Sequence, residues 1–217
     1  MTMHPVDCPE WDYENFPNKA EILQEEIKSI LIDLRNGRID TKFSASDTRP
    51  IHFQLFRQLV PDDYPYFAGC YRGETHRCLK HYAVQIRSDP RVGFPPHKVK
   101  GWMDELSNII EESVAALDEG MQLPNAQIPL RDKIIYIVTA ACRIFELFLR
   151  IHPYANGNGH TARFCIWSLL GRYGLWPNNW PIDPRPPDPP YTSLIFKYRN
   201  GDKTPLENYI IQTLIAS

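Results

Sequence analysis

The sequence predicts an all-α domain of six to eight helices with one β-hairpin. Most of the chain carries apolar residues at helical spacing, and proline or glycine stands near the ends of these segments. Only residues 82–94 alternate apolar and polar residues in the way a pair of strands does. With 217 residues, one domain can bury a core that needs neither disulfides nor a structural metal.

The first helix follows a short arm. Residues 1–18 contain three prolines, and we interpret them as an extended N-terminal arm before a domain over residues 19–217. From Lys19 to Asn36 apolar residues recur at helical spacing, and Gly37 then supplies a left-handed cap. A short second helix is predicted over residues 50–60.

The predicted hairpin extends over about residues 79–94 and separates the short helices from the long ones. Pro95 and Pro96 end it. A long amphipathic helix is predicted next, over residues 98–118, with Gly120 ending it.

The helix predicted over residues 130–151 is apolar on nearly every side in its second half, which is typical of a helix at the centre of a domain. Another helix is predicted over residues 160–173, after a short loop. Two more follow a proline-rich segment, over residues 191–198 and from Thr204 onward. Glu207 would complete a capping box at the start of the last helix.

Composition and charge exclude several classes of protein. The net charge of −2 lacks the basic excess of a nonspecific nucleic-acid binder, so no nucleic-acid partner is expected. No stretch of about 18 apolar residues predicts a membrane span. The five cysteines are odd in number and form no CxxC pair. They therefore predict neither a disulfide framework nor a zinc site, and they favour a reducing, cytoplasmic location.

The loop between the two central helices combines three features of phosphate chemistry. His152 ends a buried helix and has an ordinary pKa suited to proton transfer. The glycines and asparagines of residues 155–159 tolerate positive φ, so their backbone N–H groups can turn inward as an anion nest. The loop leads into a helix N-terminus, and Arg163 follows in its first turns. Together they indicate phosphoryl or nucleotidyl transfer.

Each of these features alone has an ordinary structural explanation. Tight turns between helices use Gly and Asn routinely, and a histidine at the end of a buried helix is more often a packing residue. Their combination within twelve residues is what favours a catalytic interpretation.

Residues 152–163 read HPYANGNGHTAR, which resembles the signature H-x-F-x-[D/E]-G-N-[G/K]-R-x-x-R of the Fic (filamentation induced by cAMP) family. Leu55-Phe56 followed by AGCYR at residues 68–72 resembles an upstream element of the same family. The hairpin lies where Fic proteins carry a flap that binds their target. The resemblance extends over about residues 20–215 and implies the Fic-type helical fold.

The resemblance implies transfer of AMP from ATP to a serine, threonine or tyrosine hydroxyl of a target protein. His152 would be the general base. Asn158 and the backbone amides of Gly157 and Gly159 would hold the phosphates, and Arg163 would contact the terminal phosphates.

The family also implies two further contacts. Tyr191 lies where Fic proteins often support the adenine ring. The target protein would bind along the flap hairpin by strand addition.

Two positions depart from the family signature. Asn156 stands where an acidic residue would ligate Mg²⁺, and its neutral amide oxygen is a weaker ligand for Mg²⁺ or Mn²⁺. His160 stands where the first arginine would contact phosphate, and a neutral histidine donates one hydrogen bond in place of a charged fork. Loss of such a charge-assisted contact costs about 1.5–3 kcal/mol.

Three interpretations of these departures stay open at the level of sequence. The chain is a variant adenylyltransferase, or it transfers another nucleotide or phosphate-linked group, or it is a degenerate module that binds only a nucleotide or a partner. The family's inhibitory pattern [S/T]-x-x-x-E-[G/N] has no clean match, because Ser107 and Glu111 are followed by Glu112. A separate inhibitory partner is therefore a further expectation, and a cover formed by the N-terminal arm is an alternative to it.

Overall fold

The computed structural model describes residues 8–84, 86 and 89–215, and it confirms the helical fold class. In this part of the chain there are eight α-helices and two short 3-10 turns, at Tyr13–Asn15 and Pro65–Phe67. The helices are α1 Lys19–Arg35, α2 Thr41–Ser46, α3 Arg49–Phe56, α4 Pro96–Gln122, α5 Leu130–Ile151, α6 Asn158–Gly171, α7 Tyr191–Arg199 and α8 Thr204–Leu214.

Several predicted helix ends differ from the observed ones. Helix α4 continues through Gly120 to Gln122, because a glycine inside a helix with a strong apolar face weakens it without breaking it. The predicted capping box of α8 is wrong: Thr204 is already helical, and the N-cap residue Lys203 makes no side-chain cap. Helix α2 was not predicted, because its six residues are too few to show helical periodicity.

Helices α5 and α6 form the centre of the molecule. Helix α5 packs against α4, α6 and α8. Every residue of α6 is buried except Gly159, which is partly exposed. The loop that joins these two helices is therefore anchored at both ends in the core. None of the helices in the described residues is long and apolar enough to span a membrane.

The predicted flap hairpin is not observed as a pair of strands. Gln85, Arg87 and Ser88 lie outside the described residues, and the described residues of the 79–94 segment contain no strand. The N–H groups of Gly93 and Phe94 donate instead to the carbonyls of Arg150 and Ile151, at 2.9 and 3.2 Å. The last carbonyl groups of α5 have no partner within the helix. They therefore accept the N–H groups that would otherwise bond to a second strand.

A disulfide between Cys8 and Cys78 corrects the prediction that the cysteines form none. The Cα atoms of the two residues are 5.6 Å apart although they are separated by 70 positions. Sequence spacing carries no information about such a long-range pair. The cytoplasmic location stays a prediction, and the cysteine argument no longer supports it, since disulfides persist mainly in oxidising compartments.

The N-terminal arm is docked on the domain. Trp11 is 2% exposed, stacks 5.6 Å from Phe67, and donates its indole N–H to the Leu59 carbonyl at 2.7 Å. Tyr13 follows it and is also buried, 5.0 Å from the ring of Phe56. The disulfide and these aromatic contacts hold the arm against the loop that precedes α6.

The proline-rich segment 177–190 is anchored by side chains of α6. The indole of Trp167 donates to the Trp180 carbonyl, and the indole of Trp180 donates to the Arg163 carbonyl, at 2.8 and 3.2 Å. Trp180 and Ile182 are buried, which places Asp183 and the residues after it beside the N-terminus of α6.

Candidate active site

A cavity of about 530 Å³ lies at the N-terminus of α6, between the loop 152–157 and the N-terminal arm. Three segments that are distant in sequence supply its walls. Its lining consists of Tyr13, Glu14, His152, Asn156, Gly157, Asn158, Gly159, His160, Arg163, Asp183, Pro184 and Arg185. Seven of the eight predicted site residues thus face one cavity, and Tyr191 is the exception among the described residues.

His152 ends α5 in the left-handed conformation, with φ of 56°. Its backbone N–H caps the helix by donating to the Phe148 carbonyl at 2.9 Å. Ring nitrogen Nδ1 lies 3.3 Å from the Leu149 carbonyl, so it carries the hydrogen and leaves a lone pair on Nε2. Burial, with the charges of Arg72 and Arg199, lowers the pKa of His152 to about 4. The imidazole is therefore neutral near pH 7 and able to accept a proton at Nε2.

Arg72 holds the backbone around His152 in place. Its side chain is fully buried, and its Nε donates to the His152 carbonyl at 2.8 Å. Its two terminal nitrogens donate to the carbonyls of Tyr82, Phe94 and Ile151. These bonds connect the flap segment, residues 79–94, to the end of α5. The sequence placed Arg72 in a family element but gave no sign of this role, because backbone carbonyl partners leave no pattern in a sequence.

His52 holds the other end of the loop 152–157 in place. Its Nδ1 accepts the Gly69 N–H at 2.9 Å, so its Nε2 donates to the Asn156 carbonyl at 3.0 Å. Its ring stacks on Tyr154 at 3.6 Å, and the hydroxyl of Tyr154 bonds to Thr48 at 2.7 Å. Complete burial lowers the pKa of His52 to about 3, so the ring is neutral. Sequence reasoning missed this residue entirely.

The predicted anion nest can use the amides of α6 but not that of Gly157, whose N–H donates to the side-chain oxygen of Asn156 at 2.8 Å. Gly157 is the N-cap with φ of 75°, and a Cβ atom there would lie 2.4 Å from the ring of Phe56. Only glycine adopts this positive φ without strain and has no Cβ atom to clash with Phe56. The side chain of Asn158 is 2% exposed and bonds both the N–H and the carbonyl of Tyr154, at 2.8 and 2.9 Å. Asn158 thus shapes the loop with its side chain, and it can offer an anion only its backbone N–H.

Arg163 lies one turn further along α6 and is 4% exposed. Its Nε donates to the Ile182 carbonyl at 2.8 Å. A Cβ atom at Gly159 would lie 3.1 Å from its Nη1, so the glycine leaves room for the guanidinium. Tyr191 is buried, with its ring 5.7 Å from that of Trp180.

His160 is engaged within the protein. Its Nε2 lies 2.9 Å from a carboxylate oxygen of Asp183. Burial lowers the pKa of His160 in spite of Asp183, so the neutral ring donates this hydrogen bond. A phosphate contact from the same nitrogen would have to replace Asp183.

The side chain of Asn156 is also hydrogen-bonded within the protein, and this affects whether it can bind the expected metal ion. Its side-chain oxygen accepts the Gly157 N–H at 2.8 Å, and its amide nitrogen donates to the Trp11 carbonyl at 3.2 Å. A neutral oxygen that already accepts a hydrogen bond does not fit the hard, charged ligand that Mg²⁺ or Mn²⁺ favours.

A cover formed by the N-terminal arm was one alternative at the level of sequence, but the arm residues that line the cavity were not predicted. The ring of Tyr13 meets that of His160 edge to face at 5.7 Å, and burial, with Glu14 beside it, raises the pKa of its hydroxyl to about 12. Glu14 and Asp183 bring two carboxylates to the lining, and Arg185 brings a cation. The aromatic residues of the arm were the available signal, but a sequence does not show where an arm docks.

Comparison with protein families gives a match that covers the site. The model of the Fic/DOC family matches residues 42–170, which is more than half of the chain and contains the loop 152–163. A comparison with curated proteins gives no match. The chain belongs to the Fic/DOC family.

Proposed function

We propose that the protein transfers AMP from ATP to a hydroxyl side chain of a target protein. The observation that carries the proposal is one cavity lined by a neutral His152, the N-terminus of α6 and Arg163. Membership of a family of transferases supports the same reaction class.

The triphosphate would lie against the first backbone amides of α6, where the helix dipole favours negative charge. Arg163 would neutralise charge that develops on the departing phosphates. The Nε of Arg163 is already bonded to the Ile182 carbonyl, so its Nη groups would make this contact.

The target hydroxyl would approach Nε2 of His152. Its oxygen forms a bond to the α-phosphorus while the bond from that phosphorus to the bridging oxygen breaks. The hydroxyl proton passes to Nε2, and pyrophosphate leaves with the bonding electrons. Because the pKa of His152 is low, the proton moves once the forming bond has made the hydroxyl acidic. No step in this account passes through a metal ion.

The target is proposed to bind along residues 79–94. Arg72 and the ion pairs of Arg199 with Asp89 and Glu146, at 2.8 and 2.7 Å, hold the described part of this segment next to His152. This position supports target binding there even though the described residues form no strand.

A second candidate is a module that binds a nucleotide without turnover. The observation that favours it is that Asn156, Asn158 and His160 all direct side-chain polar atoms to partners within the protein. The double variant Asn156→Asp with His160→Arg restores the family pattern. Transfer that appears only in this variant would establish the second candidate.

The deciding experiment uses ATP labelled at the α-phosphate or at the γ-phosphate, with the protein and a cell lysate. AMP transfer predicts label on protein from α-labelled ATP only. Label from the γ-position would indicate phosphoryl transfer, and no label from either position would contradict the proposal.

A further inference from the structure

A second cluster of reactive side chains lies outside the cavity, on the loop that precedes the flap segment. Cys70, Glu74 and His76 each point one potential metal ligand toward a common centre, and these three atoms lie within 4.8 Å of one another. All three side chains are half-buried. A thiol, a carboxylate and an imidazole are the three donor types that proteins use for zinc.

The distance between sulfur and nitrogen matches tetrahedral zinc. Sγ of Cys70 lies 3.6 Å from Nε2 of His76. With zinc–sulfur and zinc–nitrogen bonds of about 2.3 and 2.05 Å and a tetrahedral angle, these two ligands stand about 3.6 Å apart. The pair therefore has the separation that an ion between them would require.

Neighbouring residues orient the other atoms of the cluster. The ring of Tyr66 stacks on His76 at 4.5 Å with an interplanar angle of 8°, which holds the imidazole plane. One carboxylate oxygen of Glu74 accepts the Tyr71 N–H at 3.2 Å, which orients the carboxylate. Such outer contacts are what orient ligands in metal sites.

A nucleophilic cysteine is the main alternative for a thiol beside an imidazole. An activated nucleophile needs a nearby cation that stabilises its thiolate. Arg49, an arginine whose charge reaches Cys70, is already paired with Asp47 at 2.7 Å. A plain S–H···N hydrogen bond is the other alternative, and it predicts no affinity for metal.

We propose that Cys70, Glu74 and His76 bind a zinc ion, with water as the fourth ligand. On binding, the thiol releases its proton to solvent and a zinc–sulfur bond forms, without any change in oxidation state. Zinc binding there would depart from the sequence expectation of no zinc site, which was based on the absence of CxxC pairs. The proposal does not depend on the proposed transferase activity.

The position of the site suggests what the ion does. The backbone N–H of Arg72, between two of the ligands, donates to the Pro153 carbonyl at 2.8 Å, and the Arg72 side chain holds His152. Zinc bound across residues 70–76 would cross-link the loop that carries Arg72. It would therefore stabilise the support of His152 without touching the cavity.

Zinc affinity is measured by competition with a chromophoric chelator on the metal-free full chain, with its disulfide intact. The wild type should bind one equivalent. Cys70→Ser and His76→Ala should each weaken binding by more than the roughly 10–100-fold that loss of an outer contact costs. His81→Ala, an exposed histidine of the same loop region, is the matched control and should leave the affinity unchanged.

Cobalt substitution in the wild type gives a second readout that needs no variant. A sulfur-to-cobalt charge-transfer band together with intense visible bands would show a tetrahedral site with a thiolate ligand. Absence of stoichiometric zinc binding, or affinity that is unchanged in Cys70→Ser, would overturn the proposal.

Discussion

The cavity has two walls that differ in origin and in charge. The motif wall, residues 152–163, comes from one continuous segment and carries His152, the α6 amides and Arg163. The arm wall, Tyr13, Glu14 and residues 183–185, is assembled from two segments far from the motif. It carries two carboxylates beside one arginine.

The difference teaches that reaction groups and binding environment come from different parts of the chain. On the motif wall, His152 caps the end of α5 and Gly157 caps the start of α6, so the proposed base and the proposed phosphate site come from one short loop. On the arm wall, the carboxylates of Glu14 and Asp183 would repel the proposed triphosphate. The hydrogen bond from His160 to Asp183 joins the two walls and partly offsets that charge.

The largest expected effect is on the motif wall. His152→Ala removes the base, so AMP transfer should fall about 100–10,000-fold while ATP affinity stays within about twofold. Transfer of α-labelled AMP and equilibrium ATP binding are measured on the same preparation. His97→Ala, an exposed histidine of α4, is the control and should keep full activity. Equal labelling by His152→Ala and wild type would remove His152 from the chemistry.

The next effect concerns the attachment of the arm wall. The Cys8–Cys78 disulfide closes a loop of 70 positions, so its reduction should lower the free energy of unfolding by about 2–4 kcal/mol. Denaturant unfolding with and without reductant measures this. The double variant Cys8→Ser with Cys78→Ser should resemble the reduced wild type and should not respond to reductant. A response of that variant would mean that the reductant acts elsewhere.

Acid should destabilise the fold through His152 of the motif wall and through His52, which supports that wall. The pKa values of His52 and His152 are about 3 and about 4 in the fold, below the ordinary 6.5. Between pH 6.5 and 4 the unfolded chain binds these protons and the folded chain does not, so stability is lost as pH falls. Each histidine contributes a slope of about 1.4 kcal/mol per pH unit. Across this range, the free energy of unfolding of His152→Ala should change less steeply with pH than that of the wild type, by about 1.4 kcal/mol per pH unit. An equal slope in the two proteins would contradict the argument that burial keeps His152 neutral.

The smallest effect is on the charge of the arm wall. Asp183→Asn removes a half-exposed carboxylate next to the proposed triphosphate site, so ATP affinity should rise by about two- to fivefold, the range of a surface charge interaction. Isothermal titration of ATP measures this. Asp62→Asn, an exposed carboxylate away from the cavity, should change nothing. A weaker affinity in Asp183→Asn would show that the pairing with His160 matters more than the charge.

The motif wall could be predicted because its chemistry is local. A histidine at a helix end, a glycine-rich turn and an arginine in the next helix all stand within twelve residues. Helix α5 was predicted with its observed ends for a similar reason, since its apolar pattern is long and continuous.

The arm wall and the supports of His152 could not be predicted, because their contacts join residues that are distant in sequence. Trp11 reaches Asn156, Arg72 reaches His152, and Cys8 reaches Cys78. The hairpin was predicted from alternation alone, whereas its backbone donors found partners at the end of α5. Alternation indicates an extended chain and does not name its hydrogen-bonding partner.

The most direct test of the account is to locate the bound triphosphate. ATP with a photoreactive group on its terminal phosphate is cross-linked to the protein, and the tagged peptide is identified by mass spectrometry. The account predicts tagging on the motif wall or the arm wall, suppressed by unlabelled ATP. A tagged peptide from the apolar groove between α4 and α5, which is lined by Leu117, Met121 and Ile137, would contradict it.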